Sequence, residues 1–325
     1  MEIADALSAS PALYTLAAGL LGLLVGSFLN VVIHRLPKMM EAEWREQCVE
    51  LDAMDAERAG AAASAGASPA GTAGTAGALG AAGAAPSPAA PPKYNLVTPR
   101  SACPKCGAPI GALQNIPVVS WLVLRGRCAN CRTPISARYP LVELTTGVLS
   151  ALVAWQFGWG WESAFALVIT WFLVAMTGID FDTQLLPDSL TLPLLWLGLL
   201  AAAFFGRGEH SIPVDLHSAV LGAAFGYLSL WSIYHLFRLA TGKEGMGYGD
   251  FKLFAALGAW LGWQMLLPII LFSAATGAAL GIAMILLRRH GRDVPMPFGP
   301  FLAAAGWLVM MYAPALVAPW WALAR

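Results

Sequence analysis

Two aspartates and four cysteines have the residue types and spacing for chemistry. Asp180 directly follows the apolar run 164–179 in Gly178-Ile-Asp180-Phe-Asp182-Thr-Gln-Leu-Leu-Pro187-Asp188. Asp250 ends Gly245-Met-Gly247-Tyr-Gly249-Asp250 and precedes another apolar run starting at Phe251. Carboxylates beside apolar spans are costly and need a reason. Two carboxyl groups brought together cannot both ionise cheaply. One keeps its proton and the other acts as base on a bound water. That water attacks a peptide carbonyl while the protonated partner stabilises the oxyanion, with no metal and no covalent intermediate. The glycines before Asp250 let backbone or an extended substrate come close. Other readings stay open at this point. The pair could relay protons or ions in a transporter. Asp250 could cap its own helix, as Asp188 or Ser189 is expected to do for the next span. Asp182 could simply be solvated, and Glu143 could be a third partner or an ordinary first-turn helix acid.

The cysteines form Cys103-Pro-Lys-Cys106-Gly107 and Cys128-Ala-Asn-Cys131, with twenty-one residues between the pairs. Each pair can make a tight turn presenting two thiolates, and two such turns close a tetrahedral four-sulfur site. Gly107 suits a turn that needs positive φ. Redox thiols or disulfides are the alternatives, but a reducing cytoplasm disfavours structural disulfides. Two pairs at this spacing favour Zn2+ held by Cys103, Cys106, Cys128 and Cys131. With four ligands the site has no open position, so its role would be structural, folding a module that lacks a core. Cys48 is left over and is expected to be a buried apolar residue.

These residues must be positioned by membrane spans. The chain has 325 residues, 58% hydrophobic and 12% charged, with a formal net charge of zero. The low charge, and apolar blocks long enough to cross a bilayer, exclude a soluble enzyme and a nucleic-acid binder with a basic surface. Eight spans are expected, at about 12–33, 141–158, 163–179, 190–205, 214–239, 251–262, 266–288 and 299–321. The sixth is too short to cross straight at about 1.5 Å per residue. The first has Glu2 and Asp5 before it rather than a basic region, so an uncleaved span is expected. With the N-terminus outside, nearly all Lys and Arg fall on the inner face, among them Arg35, Lys38, Arg125, Arg127, Arg138, Lys243 and Arg292. Trp155, Trp159, Trp161, Trp260, Trp263, Trp320 and Trp321 fall at the other ends, as an interfacial belt would. Both aspartates then lie at cytoplasmic ends of spans.

The expected organisation is a first transmembrane helix (1–37), a short cytoplasmic amphipathic helix (38–59), a linker (60–92), a zinc-binding module (93–140) and a transmembrane core (141–325). Trp44, Cys48, Leu51 and Met54 supply the spacing of the amphipathic helix. The linker is almost wholly Ala, Gly, Ser, Thr and Pro, which cannot bury enough apolar area to offset its ordering entropy. The fold class expected is an all-α polytopic membrane protein with a four-cysteine cytoplasmic module inserted after the first helix.

Taken in order, several segments resemble the bacterial type IV prepilin peptidases, membrane aspartic proteases of pilus and type II secretion systems. They are Gly26-Ser-Phe-Leu-Asn30-Val-Val-Ile-His34-Arg35-Leu-Pro37, the two cysteine pairs, Arg138-Tyr-Pro-Leu-Val-Glu143, Ile179-Asp180 through Leu186-Pro187-Asp188, Gly242 through Gly249-Asp250-Phe-Lys252, and Pro297-Phe-Gly299-Pro300-Phe. They cover nearly the whole chain outside 60–92. The resemblance implies that Asp180 and Asp250 are the catalytic pair. It implies cleavage of a short basic leader from prepilins and pseudopilins at the cytoplasmic face of the inner membrane. It also implies N-methylation of the new amino terminus with S-adenosylmethionine, because the cysteine loop accompanies bifunctional members. Arg125-Gly126-Arg127-Cys128 matches the family beside that loop. Membrane lipid is an expected partner and nucleic acid is not. A proton-coupled transporter is the rival, but it needs no cysteine module and would usually show related halves.

Overall fold

The computed structural model describes residues 3–65, 94–206, 212–243, 245–287 and 297–323. Ten helices lie among them: α1 (Ile3–Ala9), α2 (Pro11–Ala65), α3 (Val119–Val123), α4 (Arg138–Phe157), α5 (Trp161–Thr183), α6 (Asp188–Phe205), α7 (Leu216–Thr241), α8 (Tyr248–Leu261), α9 (Leu266–Leu286) and α10 (Gly299–Leu323). Among the described residues no strand forms, and the only β-type pairings are two isolated bridges in the cysteine module. Six helices are long and apolar enough to cross a membrane, and α8 and the Gly299–Tyr312 part of α10 are shorter apolar helices. Each of the eight expected spans is therefore helical.

The helix ends follow local chemistry. Asp215 caps α7, its carboxylate accepting from the Ser218 amide at 3.0 Å, so this helix begins before the apolar run. Gly242, at φ 70°, closes α7 in the left-handed conformation that glycine adopts at little cost. The cap expected of Asp188 or Ser189 is not made. Pro187 occupies that position with no side-chain bond, and Asp188 lies in the first turn of α6 with its carboxylate turned to Lys252.

Two compact units divide the chain, 1–34 with 101–325, and 35–100. The cysteine residues belong to the same unit as the spans. In the smaller unit the helix continues through Pro37 to Ala65, so residues 38–59 are not a separate element and the helical structure passes the expected linker start at 60. Trp44, Leu51 and Met54 are exposed there, and so is Cys48, against the expectation that it is buried. A cysteine at the right spacing is buried only if another element covers that helix face, and among the described residues of this unit none does. Arg35 is buried, donating to the carbonyls of Asn95 at 3.0 Å and Pro99 at 2.7 Å, with its guanidinium over the Tyr94 ring. Of the expected linker, 66–92 lies outside the described residues.

The larger unit is organised around α8. Its fourteen residues would span only about 21 Å, and nearly all of them from Asp250 to Leu261 are buried. The short helix is enclosed by longer ones. Lipid offers no hydrophobic drive for helix association, so close packing and interhelical hydrogen bonds must supply it. Glycines provide the close packing. A Cβ built on Gly222 of α7 would lie 2.1 Å from the Gly258 carbonyl oxygen of α8. Gly22 and Gly26 of α2 similarly face Ser150, Thr146 and Glu143 of α4. Indole and hydroxyl groups provide the bonds: Trp260 Nε1 to Leu194 O at 2.9 Å, Trp307 Nε1 to Thr170 Oγ1 at 3.0 Å, Trp171 Nε1 to Ser150 Oγ at 3.0 Å, and Tyr14 with Ser163 at 2.7 Å. Trp260, expected in the interfacial belt, is therefore a core residue, 1% exposed. Trp155, Trp159, Trp161 and Trp263 are exposed as a belt requires, while the side chains of Trp320 and Trp321 lie outside the description. The outward stripe of α2 is Leu13, Leu16, Leu20, Leu24 and Phe28, all exposed, as suits a lipid-facing surface.

Candidate active site and cysteine centre

Asp180 lies in the last turn of α5 and Asp250 in the first turn of α8, 4% and 7% exposed. The two carboxyl groups are close enough for their charges to interact. Leu186, in the segment after α5, joins the pieces. A Cβ built on Gly249 would lie 2.6 Å from Leu186 Cβ, and one built on Gly299 would lie 3.1 Å from Leu186 Cδ1 and 2.6 Å from Asp180 Oδ2. Three backbone segments, 184–187, 247–250 and the start of α10, thus close on the pair, and glycine is required wherever one crosses another. The Gly247 amide serves the Asp250 carboxyl group. Asp180 Oδ2 is buried without a well-formed hydrogen bond, and the donor that approaches Asp180 is the Gly299 amide. Such a pair can activate water and stabilise an oxyanion, the arrangement that carboxyl groups in one dry site allow.

The neighbouring charges are tied off. Lys252 donates to both oxygens of Asp188, at 2.6 and 2.7 Å, linking α8 to α6. Arg138 donates to Asp182 at 2.5 Å and to the Gly178 carbonyl at 3.1 Å, linking α4 to α5. Asp182 is therefore exposed, as expected of a solvated residue, and is also paired. Its partner lies forty-four positions away, beyond the reach of spacing arguments.

The four cysteine sulfurs all lie within 4.8 Å of one another, and Cys103 and Cys131 are 3.7 Å apart. A metal at about 2.3 Å from four tetrahedral thiolates would set them about 3.8 Å apart, so the cluster fits a metal. The two halves are copies. Cys103 N bonds Ala108 O and Gly107 N bonds Cys103 O; Cys128 N bonds Thr133 O and Arg132 N bonds Cys128 O. Antiparallel bridges Ala102–Pro109 and Arg127–Pro134 close each turn. Gly107 has φ 69°, as its position in the motif suggests, and Arg132 takes the equivalent place at φ 56°. The Thr133 hydroxyl, 3.2 Å from the Cys131 sulfur, and the Thr133 amide hold that thiol well below its ordinary range, at about 6, ready to ligate.

Glu143, 9% exposed, accepts the Val118 amide at 2.7 Å. It thereby fastens the cysteine module to α4. Val118 has φ 59°, a strained backbone for a β-branched residue. Spacing could not have found this bond, which joins a loop amide to a helix acid. Arg125 and Gly126 also have positive φ, and Gly126 lies flat under Trp121, whose Nε1 donates to Ile135 O. A cavity of about 270 Å3 lined by Trp159, Trp161, Glu162, Phe165 and Phe205 lies at the far end of α5, away from both candidate centres.

Comparison with known proteins agrees with this architecture. The family profile described as Bacterial Peptidase A24 N-terminal domain matches residues 20–157, and that of the Type IV leader peptidase family matches residues 167–282. The chain belongs to the type IV leader peptidase family. A Pseudomonas aeruginosa protein named prepilin leader peptidase/N-methyltransferase is 48% identical over 312 residues, covering 96% of this chain and 95% of that one. Proteins of the same name from Stutzerimonas stutzeri and Neisseria gonorrhoeae are 47% and 45% identical, covering 100% and 90% of this chain and 100% and 88% of their own lengths. No solved structure matches the chain. Membership makes the chain a membrane peptidase, which decides against the transporter reading.

Proposed function

We propose that this enzyme removes the basic leader of type IV prepilins and pseudopilins at the cytoplasmic face of the inner membrane, with Asp180 and Asp250 as its catalytic pair. The observation that carries the reading is that two buried carboxyl groups, one at the end of a helix and one at the start of another, sit on backbone segments that both close on Leu186, through Gly249 beside Asp250 and through Gly299 against Asp180. One carboxylate takes a proton from water, and the resulting hydroxide adds to the scissile carbonyl. The other carboxyl group gives its proton to the carbonyl oxygen. Collapse of the diol breaks the C–N bond, the departing amine takes up a proton, and leader acid and mature amino terminus separate. The glycines around Asp250 leave room for an extended peptide. A prepilin's apolar helix can lie in the bilayer beside the spans, which sets its cleavage point at the depth of the pair. The orientation follows from the inner placement of Lys and Arg.

The names of the relatives support a second activity, N-methylation of the new terminus. Its methyl group would come from S-adenosylmethionine, with the amine losing a proton and the sulfonium becoming a thioether. We propose Zn2+ for Cys103, Cys106, Cys128 and Cys131, whose thiolate set suits that ion and whose closed geometry suits a structural role.

The test is Asp180→Asn and Asp250→Asn, each expected to abolish leader cleavage while the protein still accumulates in membranes. Product mass on a prepilin reads both activities, by leader loss and by a further methyl. Cleavage at the wild-type rate by either variant would refute the assignment.

A further inference from the structure

We propose that Gly299 is a positioning residue for leader cleavage: at the start of α10 its amide approaches Asp180, and its missing side chain is what lets the backbone come against that carboxyl group. The inference rests on the assignment of Asp180 to the catalytic pair. Asp180 lies four residues before Gln184, which ends α5. The last turn of a helix exposes carbonyl oxygens and is unfavourable to a negative charge. Asp180 is 4% exposed and its Oδ2 has no well-formed bond among the described residues. An acid so placed needs a donor from another element.

α10 has one amide to offer. The first four N–H groups of a helix lack acceptors within it. Here Pro300 has no N–H, and the amides of Phe301 and Leu302 both turn back to the Phe298 carbonyl, at 3.1 Å each. That leaves the Gly299 amide, and it is Gly299 that lies against Asp180. A Cβ on Gly299 would stand 2.6 Å from Asp180 Oδ2, a separation that real side chains essentially never show, and 3.2 Å from Asp180 Cγ, a tight one. The Phe298-Gly299-Pro300 sequence thus gives a single unclaimed donor with nothing in front of it. The other charged groups nearby are Asp250 on α8 and the pairs Arg138–Asp182 and Lys252–Asp188, whose cations are already bound.

The experiment compares full-length enzyme carrying Gly299→Ala with wild type, using a prepilin substrate across pH. The methyl group forces Asp180 to turn or α10 to retreat, and either moves the carboxyl group from its place. The expected result is a fall of about 100-fold in kcat, the scale of a misplacement near 1 Å, with KM little changed. The acidic limb of the kcat/KM profile should also move, because the surroundings of the carboxyl group change. Partial unfolding would scale that profile without moving it. Gly277→Ala is the control, since its Cβ would meet only Phe301 at 3.6 Å, an ordinary contact, and it should behave as wild type. Wild-type kcat in Gly299→Ala, or a reduced kcat with an unmoved profile, overturns the proposal. Asp180→Asn measured alongside separates the two claims: if it cleaves normally the catalytic assignment fails, and if it is inactive while Gly299→Ala is normal only the positioning fails.

Discussion

Replacing Gly258 with alanine should damage both stability and cleavage, although Gly258 is eight residues from Asp250. A Cβ at 258 would stand 2.2 Å from the Gly222 carbonyl oxygen and 2.5 Å from its carbonyl carbon. Ordinary contact begins near 3.4 Å, so α7 and α8 must separate by about 1.2 Å. Backbone atoms on both sides cannot rotate away. α8 cannot easily yield on its other side, where Trp260 bonds the Leu194 carbonyl and packs against Gly198. Overpacking of this kind costs about 1–3 kcal/mol. If the shift is passed along the rigid helix, Asp250 is displaced relative to Asp180, and a misplacement near 1 Å costs about 100-fold in rate. The assay is the initial rate of prepilin cleavage by purified enzyme together with a thermal melt in the same detergent. Gly222→Ala should reproduce the effect, because its Cβ meets the same crossing from the other side at 2.1 Å. Wild-type cleavage together with an unchanged melting midpoint in Gly258→Ala would show that the crossing does not position Asp250.

Two further outcomes concern the cysteine module. Cys103→Ser with Cys131→Ser, or prolonged chelation, should release the metal and open residues 101–137 to protease; mass spectrometry of the intact protein and limited digestion read both, and a resistant, metal-free module would count against a metal-dependent fold. Arg132→Gly should be neutral or stabilising by up to about 1 kcal/mol, since it removes a left-handed side-chain residue from the place where the other turn has Gly107; a lower temperature of metal release would contradict this.

Some of the site was legible before any coordinates because membrane residues carry their costs openly. Asp180 and Asp250 stand out as acids beside apolar runs. The cysteine pairs stand out because two thiolate turns have one economical use, and the positive φ of Gly107 follows from that. Faces were harder to read. Cys48 has helical spacing with Trp44 and Leu51, yet spacing states only that they share a face and not that anything covers it. Trp260 reads as a belt residue at the end of a span, but α8 is enclosed, so its indole bonds a neighbouring helix instead. Arg138 with Asp182 and Glu143 with Val118 were out of reach, since each bond joins elements separated by a loop or a span.

The linear chain alone determined the solvent and the chemistry: eight apolar stretches commit it to a bilayer, a bilayer tolerates acids only where they are used or paired, and four thiols in two tight turns suit one metal. Tertiary packing decided which groups meet. The approach of Asp180 to Asp250, the close approach of Gly299, and the crossing of Gly222 with Gly258 exist only after separate helices are pressed together, because contact distances of a few ångströms depend on how backbones cross and no local pattern along one helix encodes them.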